Sequence, residues 1–283
     1  MDKQKAIEKV VVAVVNYYSC DEVLEYLETI RGCKGITLVV VNNGEKDEKL
    51  AALRAAISRC PSAILLEPGA NLGYMGGARF AFDALGGNRL FDDVEWFVLS
   101  NADVRFDPRN LTDELNEVAS GEALGVPLVV APRIQSSLTG RNQNPYMVNR
   151  PSRTKYLVLG WVFSVYPLAV VHRLLGMVKQ SLFRSSDAVQ KSMSCIYGGH
   201  GSFMIFNKGY FERGGRLDNG SFLFCEENYV AEQVRRIDGR IVYHDTIVIT
   251  HKEHVTTGIL PSRMMTKYLA KAHLLCARHY MQD

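Results

Sequence analysis

Continuous apolar runs alternate with segments of helical periodicity over the first third of the chain. The runs cover residues 10–17, 36–41, 63–67 and 94–100 and are rich in valine, isoleucine and leucine. Runs of this kind predict strands that are buried on both faces of a sheet. Because helical patterns of about ten to fifteen residues separate them, we expect βαβ units and an α/β fold with a mainly parallel central sheet flanked by helices.

The alternation of apolar runs and helical segments becomes irregular after residue 133 and is regular again from about Ile196. Residues 133–155 are polar and rich in turn-forming residues. Later patterns predict a helix over 226–237, strands over 240–243 and 246–250, and a basic amphipathic helix over 262–280. We expect two halves, residues 1–132 and 133–283, that form one continuous domain around a shared sheet.

Residues 156–171 form a run of sixteen uncharged, mostly apolar positions between Lys155 and His172. A bilayer-spanning helix takes roughly 20 residues, and this run is shorter and is interrupted by a glycine and a proline. The favoured interpretation is a buried core segment. The alternative is an interfacial segment that lies on a membrane and is assisted by neighbouring basic residues.

Composition narrows the class of protein. With 283 residues and 47% hydrophobic content the chain can bury a large core, and its formal net charge is only +3. Its 33 basic residues are scattered among 30 acidic ones, which argues against nucleic acid as a partner. The six cysteines form no CxxC pair, which is typical of free thiols in a reducing compartment. Since no signal-peptide pattern is visible, we expect a cytoplasmic protein.

Polar side chains follow several of the predicted strands. The clusters are Asn16-Tyr17, Asn42-Asn43-Gly44, Asn101-Ala102-Asp103 and Thr250-His251. The carboxyl ends of parallel strands lie along one edge of a sheet, where ligands of α/β proteins bind. A carboxylate with an amide two residues earlier, as in Asn101 and Asp103, is a plausible anchor for a hard divalent cation.

The order of these clusters resembles that of family 2 glycosyltransferases with the GT-A fold, a Rossmann-like architecture, and particularly their rhamnosyltransferase-like branch. The similarity covers roughly residues 10–280. The family's first strand ends in Asn-Tyr, as in Asn16-Tyr17. Its second strand ends in Val-Asp-Asn-Gly-Ser, which is Val41-Asn42-Asn43-Gly44-Glu45 here. The most specific local match is residues 71–79, Asn-Leu-Gly-Tyr-Met-Gly-Gly-Ala-Arg, which is similar to the family's Asn-x-Gly-x-x-x-Gly-x-Asn element beside the donor.

The resemblance also implies roles for later residues. The family's metal motif falls on Asn101-Ala102-Asp103, and its closing histidine falls on His251, so the implied metal ligands are Asp103 and His251. Its Phe-Glu-Asp run, which carries the catalytic base, falls on Phe224-Cys225-Glu226-Glu227, and either glutamate is a candidate base. The implied donor-binding residues are Asn16, Tyr17, Asn42, Asn43, Asn71, Gly73, Arg79, Asn101, Gly199 and His200.

Two positions depart from the family pattern. The aspartate that usually reads the nucleotide base is Asn42, which keeps an acceptor and gains a donor. The usual aspartate of the Glu-Asp pair is Glu227, whose extra methylene lengthens its reach.

The function that the resemblance implies is an inverting glycosyltransferase assisted by Mg²⁺ or Mn²⁺. The donor would be a dTDP-, UDP- or GDP-linked sugar, rhamnose among the candidates. The acceptor would be a growing polysaccharide or a lipid-linked glycan, as in cell-wall biosynthesis, with peripheral contact at the inner face of the plasma membrane.

Two alternatives remain open. One is a GT-A protein that binds nucleotides or carbohydrates without turnover. The other is a sugar-nucleotide pyrophosphorylase, although the first strand lacks the glycine-rich, basic phosphate loop of that class. The chain also lacks the GxGxxG of NAD enzymes after that strand and the GxSxG of hydrolases. The oligomeric state is not predicted.

Overall fold

One sheet spans both halves of the chain. The structure is a computed structural model that describes residues 7–121, 125–182, 192–253 and 262–282. In this described part the strands are β1 (Val10–Asn16), β2 (Ile36–Asn42), β3 (Ala63–Leu66), β4 (Trp96–Ser100), β5 (Val104–Phe106), β6 (Val129–Ser136), β7 (Cys195–Ile196), β8 (Phe203–Asn207) and β9 (Ile241–His251). Strand β6 spans residues 132 and 133, the expected junction of the two halves.

Helices cover both faces of this sheet. They are α1 (Cys20–Ile30), α2 (Asp47–Ser58), α3 (Tyr74–Ala84), α4 (Pro108–Ser120), α5 (Arg153–Ser164), α6 (Tyr166–Leu182), α7 (Lys208–Glu212), α8 (Glu226–Arg236) and α9 (Arg263–Leu275). A 3₁₀-helix covers Gly87–Asp92, and a π-helical turn, Cys276–Tyr280, continues α9.

The sheet is mixed, with a parallel part built from the first half. Its strand order is β3-β2-β1-β4-β8-β6-β9-β5, and β7 pairs with β9. Strands β1 to β4 run parallel, whereas β8 runs antiparallel to both β4 and β6. In the register of β1 and β2, Asn16 lies opposite Asn42, so two of the polar clusters are side by side.

The core has two layers because successive residues of a buried strand point to opposite faces. In β1, Val12 packs into one layer and Val11 into the other, and both are fully buried. The first layer contains apolar residues of α1, α2 and α4, and the second contains those of α3, α7 and α8. A smaller third cluster lies where α5, α9 and the π-helical turn meet.

Two predictions from the sequence are wrong in detail. The strands expected over 240–243 and 246–250 are one strand, β9, because a register shift beside Pro132 and Arg133 of β6 accommodates the intervening residues. The expectation of a buried core segment over 156–171 is also wrong. These residues form α5 and the start of α6, and several of their large apolar side chains are exposed, with Trp161 at 69%.

No single helix in the described residues is long and apolar enough to cross a membrane. Together α5 and α6 reach that length and composition, but they are bent by 117° at the break between them.

Candidate active site

Asp103 and His251 face each other at the edge of the sheet. Strand β5 pairs with β9 so that Val104 lies opposite His251, and the Lys252 N–H donates to the Asp103 carbonyl at 2.8 Å. This pairing brings the Asp103 Oδ1 to 3.4 Å from the His251 Nε2, and both side chains are largely buried. The two predicted metal ligands are therefore adjacent in space, although they lie 148 positions apart in the sequence.

A second contact orients the His251 ring. Its Nδ1 lies 2.8 Å from the Oε1 of Gln143, whose amide nitrogen donates to Glu253. Because the Gln143 oxygen only accepts, His251 donates from Nδ1, and in this tautomer of the neutral ring the lone pair of Nε2 faces the Asp103 carboxylate. Two electron-rich atoms in this arrangement favour a cation or a proton between them.

The donor set fits a divalent cation that the substrate helps to coordinate. In the residues that the structure describes, no group of three or more His, Cys, Asp and Glu side chains is placed to hold a metal ion. Mg²⁺ commonly takes only one or two protein carboxylates together with phosphate oxygens and waters. Asp103 and His251 would therefore supply the protein ligands of such an ion, with the remaining positions taken by a diphosphate and water.

Glu226 and Glu227 begin α8 and converge on Gly201. The preceding residues, Phe224 and Cys225, have left-handed backbone conformations with φ of 70° and 60°, and they turn the chain into the helix. A Cβ added to Gly201 would lie 2.7 Å from the Glu227 Oε1 and 2.9 Å from the Glu226 Oε1. A side chain at this position would therefore displace the two carboxylates.

The two carboxyl groups are protonated more readily than ordinary glutamates. Burial, and then the charge of Glu227, raises the pKa of Glu226. Burial also raises the pKa of Glu227, while its hydrogen bond from the Gly201 N–H, at 3.2 Å, opposes that shift. Two close carboxylates in one partly buried site titrate as a pair, and one of them retains a proton above the usual range.

Residues 200–202 connect the glutamate pair to the Asp103 loop. The Asn101 N–H donates to the Ser202 carbonyl at 2.9 Å, and Gly201 contacts Glu227 as described above. His200 Nδ1 accepts the Ser202 N–H at 3.2 Å, which leaves the proton of the neutral ring on Nε2. Burial, followed by the proximity of His251, lowers the pKa of His200 to about 4, so that His200 is uncharged at neutral pH.

Tyr74 shows that the carboxylates surround one site. Its hydroxyl donates to the Gly201 carbonyl at 2.8 Å. Burial raises the pKa of Tyr74 well above its ordinary value, and the charges of Glu226, Glu227 and, more weakly, Asp103 raise it further. Tyr74 therefore lies within electrostatic reach of the predicted base and the predicted metal anchor.

The two asparagines after β2 are held by local backbone contacts. Asn42 accepts the N–H groups of Gly44 and Glu45 at 3.2 and 2.8 Å and donates to the Glu45 carbonyl at 3.0 Å. This predicted base-reading side chain therefore stabilises its own turn. Asn43 donates to the Gly73 carbonyl at 2.9 Å and so ties the end of β2 to the start of α3.

Unsatisfied polar atoms remain beside these contacts. In the described part of the chain, the Nδ2 of Asn16 and the Oδ1 of Asn43 are buried and have no hydrogen-bond partner. Buried polar groups are nearly always satisfied, by ligand or ordered water where protein groups are missing. Nearby, the rings of Tyr17 and Tyr18 both lie against Gly44, and Tyr17 is 55% exposed. These features suit a planar ligand with hydrogen-bonding edges.

Residues 71–79 mainly shape the start of α3. Asn71 accepts the N–H of Gly73, and Gly73 has φ of +74° and packs so tightly that an added Cβ would lie 2.2 Å from the Phe222 carbonyl oxygen. Arg79 pairs with Asp83 and Asp218 at 3.4 and 2.7 Å. It lines a pocket of about 320 Å³ that none of the other predicted site residues lines. The structure thus does not bring Arg79 together with them.

Sequence comparison gives a rhamnosyltransferase as a relative. No family model matches the chain. Over 255 residues it is 24% identical to the N-acetylglucosaminyl-diphospho-decaprenol L-rhamnosyltransferase of Mycobacterium tuberculosis, in the CDC 1551 / Oshkosh and ATCC 25618 / H37Rv strains. The match covers 86% of this chain and 76% of that protein. The resemblance to rhamnosyltransferase-like glycosyltransferases is confirmed.

Structural comparison concerns the fold alone. A crystal structure of a mycobacterial protein matches with a TM-score of 0.52 at 12% identity, over 99% of this chain and 77% of that one. A crystal structure of S. aureus TarS, residues 1-349, gives a TM-score of 0.49 at 11% identity, over 86% and 60%, which is too low to inform on the fold. The predicted α/β class is confirmed, with a mixed central sheet that is parallel over β1 to β4 and flanked by helices.

Three residues that shape this candidate site were not identified from the sequence: Tyr74, Gln143 and Gly201. Tyr74 lies inside residues 71–79, and Gly201 directly follows the candidate residue His200, so in both cases the available signal was position beside a predicted site residue. Gln143 had no signal, because it lies in the polar, turn-rich stretch where the resemblance is weakest. Gly199 has a packing role, since an added Cβ would lie 2.7 Å from the Ala131 Cβ.

Proposed function

We propose that this protein transfers a sugar, with inversion, from a nucleoside diphosphate sugar to a hydroxyl group of a glycan or lipid-linked glycan. The carrying observation is that residues 200–202 contact both groups, since the Gly201 N–H donates to Glu227 and the Ser202 carbonyl accepts the Asn101 N–H of the Asp103 loop. This arrangement supports a proposal in which the glutamate pair accepts a proton and Asp103 anchors a cation. Inverting transfer from a diphosphate needs both.

Glu227 is the proposed catalytic base. Its carboxylate receives the Gly201 N–H, a contact that favours the charged form. Glu226 lies beside it, and the charge of Glu227 raises the Glu226 pKa, so Glu226 is the partner that retains the proton. Glu227 would accept the acceptor hydroxyl proton as that oxygen attacks the sugar, a contribution of roughly 10²–10⁴-fold to the rate.

Asp103 and His251 are the proposed ligands of Mg²⁺ or Mn²⁺. When bound, the ion would neutralise the negative charge that develops on the leaving diphosphate. His200 is neutral, with its Nε2 protonated, and its ring centroid lies 5.8 Å from that of His251. It would donate a hydrogen bond to a diphosphate oxygen without adding positive charge that competes with the metal.

The nucleoside would lie near the ends of β1 and β2. Tyr17 offers an exposed ring for stacking, and the unsatisfied atoms of Asn16 and Asn43 offer one donor and one acceptor. We favour dTDP-linked rhamnose as the donor because the relative is named a rhamnosyltransferase, with UDP- and GDP-linked sugars as the alternatives.

The acceptor is proposed to be a lipid-linked glycan used in cell-wall polysaccharide synthesis. The relative's name specifies N-acetylglucosaminyl-diphospho-decaprenol, a sugar on a polyprenyl diphosphate. Because the two sequences are only 24% identical, we propose the same class of acceptor and not the same molecule.

A transfer assay tests the proposal. Purified protein is incubated with dTDP-rhamnose, UDP- and GDP-sugars, a lipid-linked N-acetylglucosamine acceptor and Mg²⁺ or Mn²⁺. Released nucleoside diphosphate, product mass and the anomeric configuration of the product are measured. Asp103→Ala is expected to abolish transfer, whereas Asp83→Ala, which removes an exposed carboxylate paired with Arg79, is expected to leave it unchanged.

Several results would contradict the proposal. Equal activity of wild type and Asp103→Ala would exclude the metal assignment, and a retained anomeric configuration would exclude inversion. Nucleotide binding without turnover across the donor and acceptor panel would indicate a non-catalytic binding protein. Formation of a nucleotide sugar from a nucleoside triphosphate and a sugar 1-phosphate would indicate a pyrophosphorylase.

A further inference from the structure

Helices α5 and α6 present a large apolar surface to solvent. We define the α5–α6 apolar surface by its exposed residues, Leu157, Val158, Trp161, Val165, Leu168, Val171, Leu174 and Leu175. Trp161 and Leu175 are the most exposed, at 69% and 65%. Apolar side chains clustered in this way mark an interaction site on a soluble domain, whereas single exposed ones do not.

The exposed apolar residues of α5 lie on one side of the helix. In α5 the side that packs against the protein carries Tyr156 and Gly160, and a Cβ at Gly160 would lie 2.7 Å from Leu274 of α9. The opposite side carries Leu157, Val158 and Trp161 at helical intervals. A helix at the surface of a globular protein normally places polar residues on that side. Helix α5 carries apolar residues both on the side that packs against the protein and on the side that faces solvent.

The helices that carry and border this surface are basic. The sequences of α5, α6 and α9 lack aspartate and glutamate altogether. Exposed basic residues on these helices are Arg153, Lys155, Arg173, Arg263, Lys267 and Lys271. Within the described residues, none of the six lies within ion-pair distance of a carboxylate.

The basic residues adjoin the apolar surface. The Arg263 guanidinium lies 5.4 Å from the centre of the Tyr166 ring, at the bend between α5 and α6. Lys267 and Lys271 follow Arg263 at four-residue intervals and therefore extend the positive charge along one face of α9. Exposed Met264, beside Arg263, adds a further apolar side chain at this end.

We infer that the α5–α6 apolar surface docks the protein onto the headgroup region of an anionic lipid bilayer. Apolar side chains with an exposed tryptophan insert shallowly into such a surface, and the basic residues are attracted to its negative charge. The 117° bend keeps the helix pair from forming one straight span, so the pair would lie along the interface. A second copy of the chain fits less well, because it would bring the unpaired basic residues of two molecules together.

Docking would hold the candidate catalytic base near the membrane. Tyr156, on the inner side of α5, donates to the Asn228 side chain, and Asn228 directly follows Glu226 and Glu227. This consequence rests on the proposed function, since a polyprenyl-linked acceptor would approach from the same membrane. The docking itself needs neither donor nor acceptor, and its test is therefore independent of transfer activity.

The experiment measures binding of the full chain to vesicles. Vesicles of phosphatidylcholine alone are compared with vesicles of phosphatidylcholine and phosphatidylglycerol, by co-sedimentation and by tryptophan emission. The chain has two tryptophans, of which Trp96 is 1% exposed and Trp161 is 69% exposed, so a change in emission reports on Trp161. We expect binding to the anionic vesicles, weakened by salt, with a blue shift that is absent in Trp161→Phe.

Variants separate the apolar and the charged contributions. Trp161→Ser combined with Leu175→Ser is expected to weaken vesicle binding by at least about tenfold. Lys267→Ala and Lys271→Ala are each expected to weaken it by about fivefold. Leu138→Ser is the matched control, because Leu138 is 57% exposed but lies outside this surface, and it is expected to bind like wild type. Circular dichroism and thermal melting check that each variant is folded.

Three outcomes would overturn the inference. The first is no binding of folded wild type to either vesicle, and the second is binding that the surface variants leave unchanged. The third is a dimer in solution that Trp161→Ser dissociates, since a second copy would then occupy the surface. If vesicle binding is confirmed but no sugar is transferred, the docking surface stands and the proposed function fails.

Discussion

Glu227 accepts a hydrogen bond from the Gly201 N–H at 3.2 Å, across 26 residues of sequence. The contact joins the start of α8 to the segment that leads into β8. Since Ser202 also accepts the Asn101 N–H, the same short segment determines where the glutamate pair lies relative to the Asp103 loop. One of these contacts is made by the Glu227 side chain and the other by two backbone groups, and together they fix the relative positions that a preorganised site requires.

Gly201→Ala should inactivate the protein without unfolding it. The new methyl group would lie under 3.0 Å from the carboxylates of Glu226 and Glu227, whose side chains would move away. Misplacement of a catalytic group by about 1 Å can cost roughly 100-fold in rate. Initial rates and melting temperature are measured together. Gly176→Ala is the control, since nothing lies within 4 Å of its added Cβ. Wild-type activity of Gly201→Ala would contradict the site.

The two glutamates should differ in their effect on rate. Glu227→Gln is expected to lower kcat by roughly 10²–10⁴-fold, because it removes the proposed base. Glu226→Gln should cost far less, since Glu226 retains its proton. The pH profile of wild-type kcat/KM should fall on the acid side at a pH above the ordinary glutamate pKa of about 4.3, because burial raises the pKa of Glu227. The reverse order of effects would make Glu226 the base.

Glu226→Gln should also stabilise the fold, in a pH-dependent manner. The pKa of Glu226 is raised by burial and by Glu227, so the folded state holds this proton more tightly than the unfolded chain. Its contribution to stability is therefore present at low pH and is lost as pH rises from about 4.3 through the raised pKa. The variant should melt a few degrees above wild type at about pH 8, and at the same temperature as wild type at about pH 4. Melting curves at both values test this sign.

Gln143→Ala should weaken metal dependence. Gln143 accepts from the Nδ1 of His251 and so directs the lone pair of Nε2 towards Asp103. Loss of an outer contact of this kind typically costs about 10–100-fold in metal affinity. The Mn²⁺ concentration that gives half-maximal transfer is measured, with Gln135→Ala as the control from the same region. An unchanged Mn²⁺ requirement would remove Gln143 from the site.

Tyr17→Ala should weaken nucleotide binding while Tyr17→Phe preserves it. The ring is exposed beside the unsatisfied atoms of Asn16 and Asn43, and only its face is proposed to contact the base. Aromatic stacking on a base is worth roughly 1–3 kcal/mol, about 5- to 150-fold in Kd. Calorimetry with dTDP, UDP and GDP measures the loss. Equal affinity of Tyr17→Ala and wild type would place the base elsewhere.

Much of the first half follows from local sequence. Strand β1 is seven consecutive residues of which six are valine or alanine, and such a run is stable only where both faces are covered. The glycines of residues 71–79 indicated a turn before a helix, and in the structure α3 begins directly after Gly73, whose φ is +74°. Local sequence also located Asp103 and His251, because the ends of buried strands place polar groups at a sheet edge, whereas the glutamate pair was assigned by its resemblance to a family motif.

Other features needed the tertiary structure because they arise from contacts between distant segments. The role of Gln143 exists only because β6 and β9 pair and bring His251 to it. The identity of Asn42 does not show whether its amide is free to bind a ligand. In the folded turn both the oxygen and the nitrogen of this amide are hydrogen-bonded to the Glu45 backbone. For residues 156–171 the sequence established an apolar run, but whether the run is buried depends on what packs against it. In the structure α9 covers one side of α5, and the opposite side carries exposed Trp161.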